Sequence, residues 1–128
     1  MTREHVNYKP VVYISGPYSS NPVGNTQIAC EVWKELFEAD EVIPICPHWS
    51  HVQEKATPEL AYEDYMTYDL EVIGNFVDAV IRIPGPSAGA DRETDFAQAK
   101  GMPVFNYPDG MVALNEWAEA NRHHRSIS

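Results

Sequence analysis

Two carboxylates carry the chemical interest of this chain. Glu93 sits in PSAGADRETDFAQAKG, a small, glycine-containing turn that leads into a helical run. Such a turn presents backbone N–H groups that suit an anion, yet it holds a carboxylate of its own. With Glu93 placed in the first helical turn, the positive end of the helix dipole favours its ionised form, so it is available as a nucleophile or base. The plainer reading is a helix-stabilising acid. Asp69 lies at helical spacing from Tyr62, Tyr65 and Met66 before it and Val72, Ile73 and Phe76 after it. A carboxylate on that apolar stripe points towards the core or its rim, where desolvation raises its pKa and makes it an acid near neutral pH. The alternative is a structural aspartate satisfied by backbone N–H groups or by Arg82. One carboxylate biased towards ionisation and another towards protonation form the pair that glycosidic bond cleavage requires.

Other combinations are weaker. Cys46, His48 and His51 in CPHWSH offer two or three metal donors, but no further ligand follows at zinc-type spacing, so no metal and no cofactor are expected. His48 or Trp49 would instead border a pocket and stack on a base, if the loop is more than an ordinary polar connection. Neither GxxxxGK[ST] nor GxGxxG occurs, which disfavours ATP hydrolysis and a standard dinucleotide site.

The elements that must position these residues alternate. VVYIS (11–15) is β-branched and aromatic and ends at Gly16-Pro17, which makes it the first strand. From about Asn25, Ile28, Val32 and Leu36 recur every four residues beside Ala29 and Trp33, predicting a helix that ends near Asp40. VIPIC (42–46) reads as an edge strand because Pro44 lacks an N–H. Thr57-Pro58 signals a helix running to about Phe76. AVIRI (79–83), the Glu93 helix, PVFN (103–106) and a last helix capped by Asp109 complete a βαβαβαβα order. This predicts one domain, residues 1–128. Its fold would be a three-layer, Rossmann/flavodoxin-like α/β sandwich with a parallel sheet of four or five strands in the order 2-1-3-4. Ligands in such sheets bind beyond the carboxyl ends of the strands where the order reverses. That crevice is flanked by SGPYSSNP, with Ser15, Gly16 and Pro17, and by PGPSAGADRE, with Ser87 and Gly89.

Composition restricts the partners. The 128 residues carry 44% hydrophobic and 22% charged side chains, the profile of an ordinary globular domain. A net charge of −10 repels a nucleic-acid polymer, and the basic tail Arg122, His123, His124, Arg125 reads as a solvated end. With no apolar run of membrane-spanning length and two cysteines without a disulfide pattern, the expectation is a cytoplasmic protein without membrane contact.

Three stretches, VVYISGPYS, YDLEVIGNFVDAVIRI around Asp69 and PSAGADRETDFAQAKGMPVF around Glu93, resemble the nucleoside 2-deoxyribosyltransferase superfamily over most of residues 11–105. This superfamily includes nucleoside transferases and nucleoside 5'-monophosphate N-glycosidases. The resemblance implies that Glu93 attacks the sugar C1' to give a covalent glycosyl intermediate. It also implies that Asp69 contacts the base and assists its protonation, that Tyr13 hydrogen-bonds the nucleophile, and that the chain forms a homo-oligomer. Ser87 stands where transferases tend to place an aspartate for the 5'-hydroxyl and monophosphate hydrolases a serine. A serine donates to a phosphate that an aspartate would repel, although Ser87 is equally a simple turn or N-cap residue. The first loop lacks the arginine several nucleotide hydrolases carry, and no asparagine or serine after Asn106 matches the residues neighbouring subunits supply. A nucleotide-binding module without turnover is the alternative reading.

Overall fold

A computed structural model of the chain describes residues 4–49 and 55–127. Its centre is the run Val11–Ser15 (β2), which pairs in parallel with Ile43–Ile45 (β3) on one side and Ala79–Arg82 (β4) on the other. Val104–Asn106 (β5) then adds in parallel to β4, giving the order β3-β2-β4-β5. Counted among these four strands alone, this is the expected order 2-1-3-4. Helices Pro22–Ala39 (α1), Tyr62–Phe76 (α2), Ala88–Ala99 (α3) and Met111–Ala120 (α4) connect or follow the strands, making an α/β sandwich.

The two-residue period of a strand assigns the layers. Val12, Ile14, Ala79 and Ile81 pack with Ala29, Val32 and Leu36 of α1 and with Leu114 and Ala118 of α4. Tyr13 and Val80 point the other way, into a cluster with Ile73 of α2 and Ala97 of α3. Ser15 follows Tyr13 by two residues and Arg82 follows Val80 by two, so both belong to the α2–α3 side. They are also register partners across the β2–β4 pair. Pro44 sits in the edge strand as its missing N–H requires, and its carbonyl accepts a hydrogen bond from Trp33 Nε1 at 3.2 Å.

Several boundaries differ from expectation. The first helix starts at Pro22, three residues early, because Asn21 caps it by accepting from the Gly24 amide and proline fills the first position. Ile28 is 45% exposed, so the buried stripe narrows to Ala29, Val32 and Leu36. The second helix starts at Tyr62, not Pro58: the Leu60 amide bonds to the Thr57 carbonyl in a separate turn, and Asp64 reaches back to the Ala61 amide at 2.8 Å. Its stripe buries Met66 and Ile73 but leaves Tyr62 and Phe76 57% and 68% exposed. The last helix is capped at Gly110 without a side-chain bond, so Asp109 is not its cap. The lead-in and tail are not free ends: Glu4–Tyr8 (β1) and His123–Ile127 (β6) pair antiparallel as a separate two-stranded sheet. Backbone pairing ties them together, and neither segment has the apolar alternation that marks a strand in sequence.

Candidate active site

Glu93 is the sixth residue of α3 and lies one turn beyond the helix start, on the stripe Ala90, Glu93, Ala97 that faces the sheet. It is only 5% exposed. The strand period brings two hydroxyls of β2 to it: Tyr13 Oη donates to Oε2 at 2.5 Å and Ser15 Oγ to Oε1 at 2.8 Å. Each oxygen thus receives one donor from β2 and keeps a lone pair for other work. Asp69 approaches from α2, half-buried on the face that carries Met66 and Ile73, and lines the same cavity as Glu93, near enough for the two carboxylates and Tyr13 to shift one another's pKa. Tyr13 of β2 thus touches Glu93 of α3, and Asp69 of α2 lies on the same cavity as Glu93.

The electrostatics correct one expectation. The helix dipole does not hold Glu93 ionised, because that field fades within the first turn, where the acid is Asp91. Burial instead raises the Glu93 pKa, opposed by hydrogen bonds from Tyr13, Ser15 and Asp69 and by the charge of Arg82. Asp69 is raised to about 7, first by burial and then by the charge of Glu93, with the Tyr13 hydroxyl opposing. Tyr13 is pushed well up by burial and by both carboxylates, so it stays a neutral donor. Glu93 has the donors and Asp69 feels its charge, which favours Glu93 as the ionised member of the pair and Asp69 as the protonated one. Arg82 does not satisfy Asp69; it pairs with Asp91.

Both carboxylates line a cavity of about 660 Å³, the size of a small-molecule site. It opens beyond the carboxyl ends of β2 and β4, where the strand order reverses. Gly16, Tyr18, Ser19 and Ser20 supply the wall after β2, and Pro86 to Ala90 the wall after β4. Ser87 caps α3, accepting from the Ala90 amide at 3.1 Å, so its own proton is left to donate to a ligand. At Gly89 a Cβ would lie 2.8 Å from the Tyr62 hydroxyl, which covers the first turn of α3. Ser15 and Pro17 do not line the cavity. Ser15 supports Glu93 from below, and the Pro17 carbonyl accepts from His48 Nε2 at 2.8 Å.

His48 lies in the 3-10 turn Pro47–Trp49, buried yet on the cavity lining. Its bond to a carbonyl fixes the proton on Nε2, and burial lowers its pKa, the Pro17 bond opposing. Its ring meets Tyr18 edge-on, centroids 5.7 Å apart. Cys46 is buried and forms no disulfide, while His51 and the side chain of Trp49 lie outside the described residues. Among the described residues, no three His, Cys, Asp or Glu side chains gather as metal ligands, and no helix is long and apolar enough to cross a membrane.

Sequence reasoning missed the α2 wall: Tyr62, Tyr65 and Met66, joined by Pro58 and Leu60 ahead of the helix. Their spacing from Asp69 is visible in the sequence, but an apolar stripe gives no sign of which part faces a cavity and which part the core. The chain matches no protein-family model and no curated protein.

Proposed function

We propose that this protein cleaves or transfers the N-glycosidic bond of a nucleoside or nucleoside 5'-monophosphate through a covalent intermediate on Glu93. The observation that carries the reading is one buried carboxylate held by Tyr13 and Ser15 beside a second, half-buried carboxylate whose pKa burial raises to about 7, both on a single cavity of about 660 Å³.

In the first step a Glu93 oxygen attacks C1' and the bond from C1' to the base nitrogen breaks. Asp69 gives its proton to the departing base, a general-acid contribution of about 10²–10⁴-fold. Tyr13 and Ser15 orient the attacking carboxylate and spread its charge, so little reorganisation remains for the transition state. In the second step Asp69, now ionised, takes a proton from water or from a second base. The resulting oxygen or nitrogen attacks C1', the ester bond to Glu93 breaks, and both carboxyl groups return to their starting forms.

Ser87 supports a 5'-monophosphate. Its hydroxyl proton and the amides of Ala88 and Gly89 at the start of α3 suit phosphate oxygens, the Ala90 amide being taken by Ser87 itself. Among the described residues the lining holds no lysine or arginine, so hydroxyls and amides would carry that recognition. The exposed aromatics Tyr62, Tyr68 and Phe76 on α2 suit a neighbouring copy in a homo-oligomer. A cytoplasmic setting agrees with two cysteines that form no disulfide.

The test is incubation with a panel of nucleosides and 5'-monophosphates, with and without an acceptor base, and chromatography for free or exchanged base. Release or exchange is the expected result. Folded protein that is thermally stabilised by a nucleotide it leaves intact would replace this reading with that of a binding module.

A further inference from the structure

Arg82 lies at the end of β4, on the sheet face that carries Tyr13 and Ser15, and is Ser15's register partner. Its side chain is only 13% exposed and folds back over the following loop. Nη1 donates to the Ile83 carbonyl, and Nη2 donates to the Gly85 carbonyl at 3.0 Å and to Asp91 Oδ1 at 2.9 Å. One planar fork thus joins the strand end, the middle of the loop and the first turn of α3, a geometry that the point charge of lysine does not reproduce. Gly85 has φ +127°, and a Cβ there would lie 2.9 Å from Pro17 Cγ, so the loop it holds rests on the β2 loop. The Pro17 carbonyl in turn receives His48.

We propose that Arg82 is a positioning residue of the site: its guanidinium holds the Pro84–Ser87 loop and the start of α3 so that Ser87 faces the cavity and Glu93 meets Tyr13 and Ser15. This rests on the reading of Glu93 as the reacting group. Tyr13 and Ser15 from β2 bond to Glu93, Asp69 from α2 shares its cavity, and Arg82 from β4 acts on it by charge at longer range. Of these Arg82 is the only cation, and its charge favours the ionised carboxylate. On α3 itself Asp91 is paired with Arg82, and Arg92 is paired with Glu63 across to α2.

The experiment compares wild type with Arg82→Gln, Arg82→Lys and Asp91→Asn. Glu93 is titrated by carbon-13 NMR of its carboxyl group, and base release is measured across pH on the best substrate of the panel. Arg82→Gln should titrate Glu93 at higher pH and lose about 10–100-fold in kcat/KM, the scale of a misplaced reacting group. Arg82→Lys should restore the titration but not the KM, because charge returns without the fork. Asp91→Asn, which keeps the cation, should not move the titration upward. A folded Arg82→Gln protein with wild-type titration and wild-type kinetics would overturn the proposal. If Arg82→Gln does not fold, an Arg82→Lys protein with wild-type KM would overturn it equally. If wild type releases no base, the Glu93 reading fails separately, and an unmoved carboxyl titration would still refute the role of Arg82.

Discussion

Replacing Asp69 with asparagine should make the protein more stable at alkaline pH while removing its chemistry. The carboxyl titrates at about 7 in the fold against 3.8 when free, a shift of about three units. At about 1.4 kcal/mol per unit, ionised Asp69 costs the native state at most about 4 kcal/mol. Asp69 is half-buried rather than fully enclosed, which lowers the expected gain to about 1–3 kcal/mol. The sign follows from a folded-state pKa above the unfolded one. The cost is absent below about pH 4, grows between there and about pH 7, and is complete above it. The asparagine side chain keeps the volume and never ionises. Urea denaturation of wild type and Asp69→Asn at half-unit steps from pH 4.5 to 8.5 should show curves that nearly coincide at the acid end and separate as pH rises, the variant above. Base release should fall by about 10²–10⁴-fold in the same variant. A constant gap across the whole pH range, or a variant less stable at pH 8, would refute the claim that Asp69 is held protonated by burial and by Glu93.

The rate of base release should follow a bell in pH, with an acid limb from ionisation of Glu93 and a basic limb at about 7 from loss of the Asp69 proton; a flat profile between pH 6 and 9 would contradict the division of roles. Ser87→Ala removes the cap of α3 and should cost about 1 kcal/mol in denaturation. It should also raise KM for a monophosphate more than for the matching nucleoside, and an equal change for both would count against a phosphate at this turn. Gly85→Ala places a side chain at φ +127° and against Pro17, so a loss of about 2 kcal/mol or more is expected, and a neutral result would show that the loop is not held there.

The strands were legible because VVYIS and AVIRI combine β-branched composition with glycine or proline stops, and their order followed from the alternation with helices. The meeting of Glu93 with Asp69 was legible from the stripe and from the rule for ligand crevices. What escaped depends on contacts distant in sequence or on backbone alone. Thr57-Pro58 has the chemistry of a helix start but closes only a turn, since the effective cap is Asp64 reaching back to Ala61. The placing of Glu93 in the first turn of α3 was one turn out, and with it went the helix dipole; burial, which no spacing reveals, set the direction of its pKa instead. Arg82 suits Asp69 as a partner by residue type, whereas its side chain turns along its own loop to Asp91, a choice made by the Gly85 turn. The pairing of β1 with β6 leaves no apolar alternation to find.

The central claim is that Glu93 forms a bond to the sugar. Rapid acid quench of wild-type protein during turnover of its best substrate, followed by intact-mass analysis and peptide mapping, tests it directly. The account predicts a mass increase of one glycosyl group on the peptide containing Glu93 in the wild type, and none in Glu93→Gln. Steady base release by Glu93→Gln at the wild-type rate, or an adduct that maps to another residue, would contradict it.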